Sequence, residues 1–184
     1  MTALQRKPID PDKMKSLFDY NPETGELLWR DKRGPVNAGD VAGWSYEGRG
    51  DEVRWYVETG GKSYLRSRIV WAIMTGTDPG DMCVDHINGD TTDDRFANLR
   101  LATLKQNNHN SSEKKNNKAG LKGVFWDEDA GMWGAAIRAN DKAIKLGVFK
   151  DKEAAYAVRL FAERILHGEF GYAASRRMLE DANE

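Results

Sequence analysis

A polar run near the middle of the chain limits how this protein can fold. Residues 111–120 form the ten-residue run SSEKKNNKAG, in which Ala119 is the only apolar residue. Such a segment contributes little to a hydrophobic core and behaves as a flexible linker. The 184-residue chain is long enough for two small domains. We therefore predict a first domain over 1–110, a basic polar linker over 111–121, a second domain over 122–172 and a tail over 173–184.

Composition narrows the class of protein. The chain is 40% hydrophobic and 31% charged, as in ordinary globular proteins. No apolar run approaches the roughly 18 residues of a membrane span, and the N-terminus lacks the apolar region of a signal peptide. We expect an intracellular, cytoplasmic protein with no membrane partner. Cys83 is the only cysteine, which excludes an internal disulfide and a zinc site built from several thiolates.

Charge is distributed unevenly along the chain, although the formal net charge is only −1. Between Leu99 and Gly123 the only acidic residue is Glu113. The basic residues of that segment are Arg100, Lys105, Lys114, Lys115, Lys118 and Lys122. A local basic patch suits a nucleic-acid phosphate backbone, and a solvated basic linker explains it equally well.

The N-terminal part reads as a β-rich scaffold with short helices. The sequence predicts helices over 12–18 and 68–74, and strands over 26–30, 41–44, 53–58, 62–66 and 83–85. The Thr59-Gly60-Gly61 sequence between two strands is a hairpin signal. The tryptophans of this part are predicted to be core residues rather than a stacking surface for bases; they are Trp29, Trp44, Trp55 and Trp71.

The pattern changes after the linker. Three strands are predicted over 123–126, 132–139 and 143–149, followed by a helix over 152–167 that Asp151 can cap. The helix residues predicted to lie on or beside its buried face are Ala154, Ala155, Ala157, Val158, Phe161, Ala162 and Ile165. This part should be a three-stranded antiparallel sheet packed on one helix, and the whole chain is predicted to be an α+β protein.

Residues 84–110 carry the chemistry, with the sequence VDHINGDTTDDRFANLRLATLKQNNHN. Carboxylate and amide oxygens suit Mg²⁺, and a histidine can take a proton from water near neutral pH. Phosphodiester hydrolysis needs both a base and a cation. Taken singly, each of Asp85, His86, Asn98 and Asn107 is better explained as a loop, turn or capping residue than as a catalytic one.

The joint spacing resembles the HNH nucleases of the ββα-metal group, in particular the phage- and intron-borne homing type. The matching pieces are Asp85-His86-x-x-Gly89-Asp90, Asn98-Leu99-Arg100 and Thr103-x-x-x-Asn107. The resemblance implies that His86 is the general base and that Asp85 and Asn107 bind one divalent metal. It implies that Asn98 orients the loop, and Asn108 or Asn110 could replace Asn107. Ser67 departs from relatives that have a histidine before Arg68.

The C-terminal part resembles the Apetala/ethylene-response-factor DNA-binding domain. The matching pieces are Gly123-Val124, Trp133-x-Ala135-x-Ile137-Arg138, Leu146-Gly147-x-Phe149 and Glu153-Ala154-Ala155-x-Ala157. In such domains a sheet reads the major groove. By this resemblance Arg138 and Lys122 would contact DNA. Phe125, Ala136 and Lys145 differ from the plant domains, so their base preference should not be transferred.

The sequence therefore predicts a monomeric endonuclease that cuts double-stranded DNA with one divalent metal, Mg²⁺ before Mn²⁺. Its predicted DNA contacts are Arg68, Arg100, Lys105, Lys114, Lys115, Lys122, Arg138 and Lys145. For Arg68 a surface or structural role is equally compatible. The alternatives are a non-catalytic DNA-binding protein or regulator, and a protein that binds or cleaves RNA.

Overall fold

The computed structural model describes residues 7–48, 53–110 and 117–171. The chain divides into two compact units, Met1–Leu104 and Lys105–Glu184. The first six residues of the predicted linker, 111–116, and the predicted tail over 173–184 lie outside the described residues. Within the described part of the chain, no helix combines the length and apolar character needed to cross a membrane.

The first unit opens with a helix and a small sheet. Helix α1 (Pro11–Leu17) starts where Asp10 accepts hydrogen bonds from the backbone N–H groups of Asp12 and Lys13. Strand β1 (Phe18–Tyr20) pairs antiparallel with β2 (Leu27–Trp29). Phe18 and Leu27 enter the core of this unit, which also contains residues of α1 and of the second helix, described below.

A three-stranded antiparallel sheet follows, in the order β3-β4-β5. Its strands are β3 (Trp44–Glu47), β4 (Val53–Thr59) and β5 (Lys62–Leu65). Gly60 and Gly61 form the predicted two-residue turn with positive φ angles of 59° and 69°. The prediction that Trp44 is a core residue is wrong, because Trp44 is 44% exposed on β3 and stacks on Tyr56 of β4.

Helix α2 (Arg66–Thr75) leads into the hairpin that holds the candidate site. Strand β6 (Cys83–His86) pairs antiparallel with β7 (Leu99–Ala102), and a 3-10 turn (Phe96–Asn98) precedes β7. Ile69, Val70 and Ala72 of α2 are fully buried in the core of the unit. Helix α3 (Leu104–Asn110) begins at the last residue of the first unit.

The second unit contains an antiparallel sheet in the order β10-β9-β8. Its elements are β8 (Val124–Asp127), β9 (Met132–Ala139), β10 (Lys142–Phe149) and α4 (Lys152–His167). Ala119, Val124, Ala135 and Ala155 form its small core. Asp151 caps α4 as predicted, since its carboxylate accepts from Glu153 and Ala154 N–H groups.

The predicted buried face of α4 is partly wrong. Phe161 and Ile165 are 68% and 66% exposed, while the buried residues of the helix are Ala155, Arg159 and Glu163. Arg159 Nη2 donates to Glu163 Oε1 at 3.2 Å, so the two buried charges compensate each other one helical turn apart. The apolar pattern failed because it cannot show that an ion pair occupies the inward face.

Candidate active site

The β6–β7 hairpin sets the geometry of the predicted site. Asp85 lies opposite Arg100 and His86 lies opposite Leu99 in the antiparallel register. The Ile87 N–H donates to the Asn98 carbonyl at 2.8 Å, which extends the pairing into the loop. Asp85, His86 and Asn98 are all buried. The hairpin therefore brings three of the predicted site residues together at one end of a two-stranded sheet.

Asp85 forms an ion pair with its cross-strand neighbour. Arg100 Nε and Nη2 both contact Asp85 Oδ2, at 2.9 and 2.8 Å. The Asp85 side chain is only 5% exposed and that of Arg100 is 13% exposed. The predicted metal ligand is thus compensated by a guanidinium in this structure, and the predicted DNA contact Arg100 is the group that compensates it.

His86 contacts a buried carboxylate from the loop. His86 Nε2 lies 2.8 Å from Asp94 Oδ1. The second oxygen of Asp94 accepts from Arg66 Nε at 2.6 Å, and Asp94 is 1% exposed. The Arg66 guanidinium also lies 4.4 Å from the centroid of the Trp55 ring. The chain of contacts from Trp55 through Arg66 and Asp94 to His86 joins β4, α2 and the loop to β6.

Asn98 ties the two sides of the loop together. Its amide nitrogen donates to Asn88 Oδ1 at 2.9 Å and to the Asp93 carbonyl at 2.8 Å. Its amide oxygen accepts from the Asn88 N–H at 2.9 Å. These contacts use the donors and the acceptor of the side chain inside the loop. The geometry therefore suits a residue that shapes the loop rather than one that binds metal.

The N-terminal scaffold supports the same loop. Tyr20 Oη accepts from the Phe96 N–H at 2.7 Å and donates to the Asp94 carbonyl at 3.3 Å. The Tyr20 hydroxyl is protonated at neutral pH and can donate, and burial raises its pKa further. Gly25, with φ of 77°, lies so close that a Cβ atom there would meet Arg95 N at 2.5 Å. Tyr20 of β1 and Gly25 of the turn between β1 and β2 thus fix the backbone beside Asp94.

Arg68 is buried inside the first unit, where it bonds to backbone carbonyls. It is buried, and its guanidinium donates to the carbonyls of Met82 and Gly80 at 2.7 and 2.8 Å. It also lies 3.5 Å from an oxygen of Asp78. Of the two roles compatible with the sequence, the contacts are those of a structural arginine that holds the segment before β6.

The other predicted residues are spread over the second unit and the linker. Asn107 and Lys105 lie on α3, and Lys105 Nζ is 3.4 Å from Asn140 Oδ1 and 3.6 Å from Asp141 Oδ2. The assignment of Asn107 as a metal ligand stays a prediction. Lys114 and Lys115 lie outside the described residues.

Three predicted DNA contacts belong to the second unit's sheet or its approach. Arg138 on β9 and Lys145 on β10 are exposed. Lys122 is partly buried, and burial lowers the pKa of its amine to about 8, against an opposing effect of Glu163 and a further lowering by Arg159. Lys122 is consequently less available to DNA than the two exposed cations.

Sequence reasoning missed Asp94 and Arg66. The loop contains Asp93 and Asp94 side by side, and only the fold decides that Asp93 pairs with Arg95 near the surface while Asp94 turns inward. Arg66 lies 28 positions before Asp94. The available signal was a pair of arginines, Arg66 and Arg68, in the first turn of a helix that is otherwise mostly apolar. Such a pattern suggests buried partners for the two charges but does not identify them.

The donor chemistry fits a divalent cation that takes most of its ligands from elsewhere. Within the described residues, no group of three or more His, Cys, Asp or Glu side chains could hold a metal. Mg²⁺ is commonly bound through one or two carboxylates together with substrate phosphate oxygens and water. Asp85 supplies one such carboxylate, and Arg100 competes for its Oδ2 atom.

Comparison with known proteins places this hairpin in a family. An HNH endonuclease family model matches residues 64–109, which include Arg66, the whole hairpin and most of α3. The chain is 34% identical over 103 residues to Protein 3.8 of Escherichia phage T7, covering 55% of this chain and 83% of that protein. The chain belongs to the family of that phage protein. It carries an HNH endonuclease domain.

A second relative agrees with this domain assignment. Over 58 residues the chain is 41% identical to the uncharacterized HNH endonuclease L560 of Acanthamoeba polyphaga mimivirus, covering 32% of this chain and 31% of that protein. No solved structure matches the chain. The assignment of an HNH domain rests on residues 64–109, the segment that contains Asp85, His86 and Asp94.

Proposed function

We propose that this protein is a metal-dependent endonuclease of the homing type that hydrolyses phosphodiester bonds in double-stranded DNA. The observation that carries the proposal is the contact between His86 Nε2 and Asp94 Oδ1, at 2.8 Å. His86 directly follows Asp85 on β6, inside the HNH domain. A histidine oriented by a carboxylate, beside a second carboxylate, supplies the base and the cation ligand that phosphodiester hydrolysis needs.

In the proposed reaction His86 accepts a proton from water as the water attacks phosphorus in line with the leaving 3′ oxygen. Asp85 would hold the divalent cation, which when bound supplies positive charge to the phosphate and to the leaving oxygen. Asn98 keeps the loop in shape through its bonds to Asn88 and the Asp93 carbonyl. Mg²⁺ is the proposed cation, with Mn²⁺ as a substitute.

We further propose that the second unit binds DNA and selects the site. Its sheet has one face toward α4, where Ala135 and Ile137 are buried, and one face turned away. Cross-strand partners share a face, so the outer face carries Arg138 opposite Ala143 and Lys145 opposite Ala136. Small residues flanked by exposed cations leave room for a DNA backbone, as the Apetala-type resemblance implies.

The test is a plasmid nicking assay with Mg²⁺ or Mn²⁺, using wild-type protein and H86A purified in parallel. General-base catalysis contributes roughly 10²–10⁴-fold, so H86A should lose about that factor in single-turnover rate. D85N should lose activity and require more metal. Cleavage that persists unchanged in H86A would rule out the assignment of the base. DNA binding without cleavage by the wild-type protein would instead favour the non-catalytic alternative.

A monomer has one such site, so nicking of one strand is the expected product. Mapping of cleavage positions on both strands of a cleaved DNA tests this directly. Breaks confined to one strand agree with a single site acting alone. Paired breaks that increase with the square of protein concentration would show that two copies act together.

A further inference from the structure

The buried partner of His86, the Asp94 carboxylate, can accept a hydrogen bond but cannot donate one. Asp94 Oδ1 lies 2.8 Å from His86 Nε2, and a carboxylate only accepts hydrogen bonds. The hydrogen between the two atoms therefore belongs to Nε2. In the neutral imidazole the lone pair then lies on Nδ1. The contact determines which nitrogen of His86 can take up a proton.

Arg66 determines which kind of atom of residue 94 can lie against its guanidinium. Its Nε donates to Asp94 Oδ2 at 2.6 Å and its Nη2 donates to the Thr92 carbonyl at 3.1 Å. Its guanidinium lies over the Trp55 ring. The Arg66 side chain is 3% exposed, and a guanidinium has donors and no acceptor. The atom of residue 94 that faces Arg66 must consequently be an acceptor.

We propose that Asp94, held by Arg66, is a positioning residue that keeps His86 in the Nε2–H tautomer and so makes Nδ1 the atom that accepts the proton from water. The inference rests on the proposed nuclease function for its catalytic consequence. The tautomer itself is a property of the metal-free protein. Asp94 acts through His86 and needs no contact with DNA or metal.

The decisive variant is D94N, because an amide has the shape of a carboxylate but has one acceptor oxygen and one donor nitrogen in place of two acceptor oxygens. Arg66 requires an acceptor, so the amide oxygen should face Arg66 and the amide nitrogen should face His86 Nε2. A donor at that position forces the hydrogen onto Nδ1, the wrong tautomer. The same substitution in the Ser-His-Asp hydrolases lowers kcat about 10⁴-fold for this reason, so we expect a loss of about 10²–10⁴-fold in single-turnover cleavage.

The double variant R66M/D94N should rescue what D94N loses. Without the guanidinium, the amide can turn so that its oxygen accepts from His86 Nε2. The correct tautomer returns, and cleavage should rise at least about tenfold above D94N, a small part of the loss expected from the wrong tautomer. A merely structural role for Asp94 predicts the opposite order, because the double variant also loses the Arg66 contacts with Thr92 and Trp55.

The readout that does not depend on activity is ¹⁵N NMR of the imidazole nitrogens in metal-free protein. The chain has three histidines, so H86A identifies the signals of His86 by their loss. Wild-type protein, R66M and R66M/D94N should show the Nε2–H tautomer, and D94N the Nδ1–H tautomer. Thermal midpoints establish that each variant is folded, and the wild-type and R66M spectra test the assignment even if D94N does not fold.

Each outcome has a distinct meaning. An Nδ1–H tautomer in wild-type protein overturns the inference, as does a folded D94N that keeps the Nε2–H tautomer and wild-type cleavage. A folded double variant with the Nε2–H tautomer and no gain over D94N overturns the catalytic part. If the tautomers shift as expected while wild-type protein cleaves no DNA with either metal, the proposed nuclease function fails and the hydrogen-bond assignment stands.

Discussion

At the scale of single residues, the contact between Asp85 and Arg100 sets the state of the predicted metal ligand before metal binds. Arg100 Nε and Nη2 both contact Asp85 Oδ2, and the side chains of both residues are largely buried. Removing one partner of a buried pair leaves an uncompensated charge, which costs far more than the pair contributes. Arg100 is therefore expected to be needed for folding of the metal-free protein as well as, by prediction, for DNA contact.

R100M should lower the free energy of unfolding by about 3–5 kcal/mol in buffer with a chelator. Mg²⁺ should recover part of that loss in R100M, because a bound cation replaces the missing positive charge. Urea unfolding with and without Mg²⁺ measures both effects. The control D85N/R100M removes both charges and should lie closer to wild type than R100M does. A wild-type unfolding midpoint for R100M would contradict the buried-pair account.

At the scale of elements, the turn between β1 and β2 presses on the loop that contains Asp94. A Cβ atom at Gly25 would lie 2.5 Å from Arg95 N and 2.6 Å from the Asp94 carbonyl carbon. These are backbone atoms and cannot swing aside. Close packing of this turn against the loop backbone therefore limits where Asp94 can lie.

G25A should destabilise the protein by roughly 1–3 kcal/mol or more, from the positive φ and from the displaced backbone. It should also slow cleavage, since Asp94 moves with the loop. G61A is the matched control, because Gly61 has φ of 69° and a Cβ atom there would meet no heavy atom within 4 Å beyond its chain neighbours. Chemical denaturation and nicking rates compare the two variants. Equal losses of cleavage in both would show that contact with the loop is unimportant.

The partly buried Lys122 makes the stability of the second unit depend on pH. The pKa of Lys122 is lowered from 10.5 to about 8, chiefly by burial. Below about pH 8 Lys122 is protonated in both states, and burying its charged amine destabilises the folded state. Between about pH 8 and 10.5 the unfolded chain binds a proton at Lys122 and the folded chain does not, so this destabilisation disappears as pH rises. Stability therefore rises with pH from about 8 to 10.5.

K122M should abolish this contribution. In wild-type protein the urea midpoint of the second unit should rise relative to that of K122M as pH increases from about 8 to about 10, the range over which the folded and unfolded states differ in bound protons. Other lysines and tyrosines titrate in both proteins, so the difference between the two isolates Lys122. A difference that stays constant across this range would show that Lys122 has an ordinary pKa.

At the scale of the whole molecule, local signals predicted the elements and failed where partners are distant. The strand Met132–Ala139 and the helix Lys152–His167 have the predicted bounds, because alternation and the Asp151 cap act within a few residues. Trp44 and Phe161 are exposed against expectation, since hydrophobicity does not say which face finds a partner. Asp85 and His86 came from motif spacing, whereas Asp94 depends on Arg66 from another element.

The division into two units predicts that DNA affinity and cleavage respond to different residues. Each phosphate contact removed should reduce the slope of log K against log salt by about 0.9. R138A and K145A should each do so, because both cations are exposed on the sheet's outer face. K152A is the control, since Lys152 lies at the start of α4 with its amine over the Trp133 ring.

Fluorescence anisotropy in an H86A background keeps the DNA intact during the titration. Single-turnover cleavage by R138A or K145A, measured at saturating protein, should remain within a few-fold of wild type, because neither residue belongs to the hairpin that contains His86. Unchanged salt slopes for both variants would remove the sheet from the DNA-binding surface. A loss of cleavage at saturation without a change in slope would place Arg138 or Lys145 in the chemistry instead of in DNA binding.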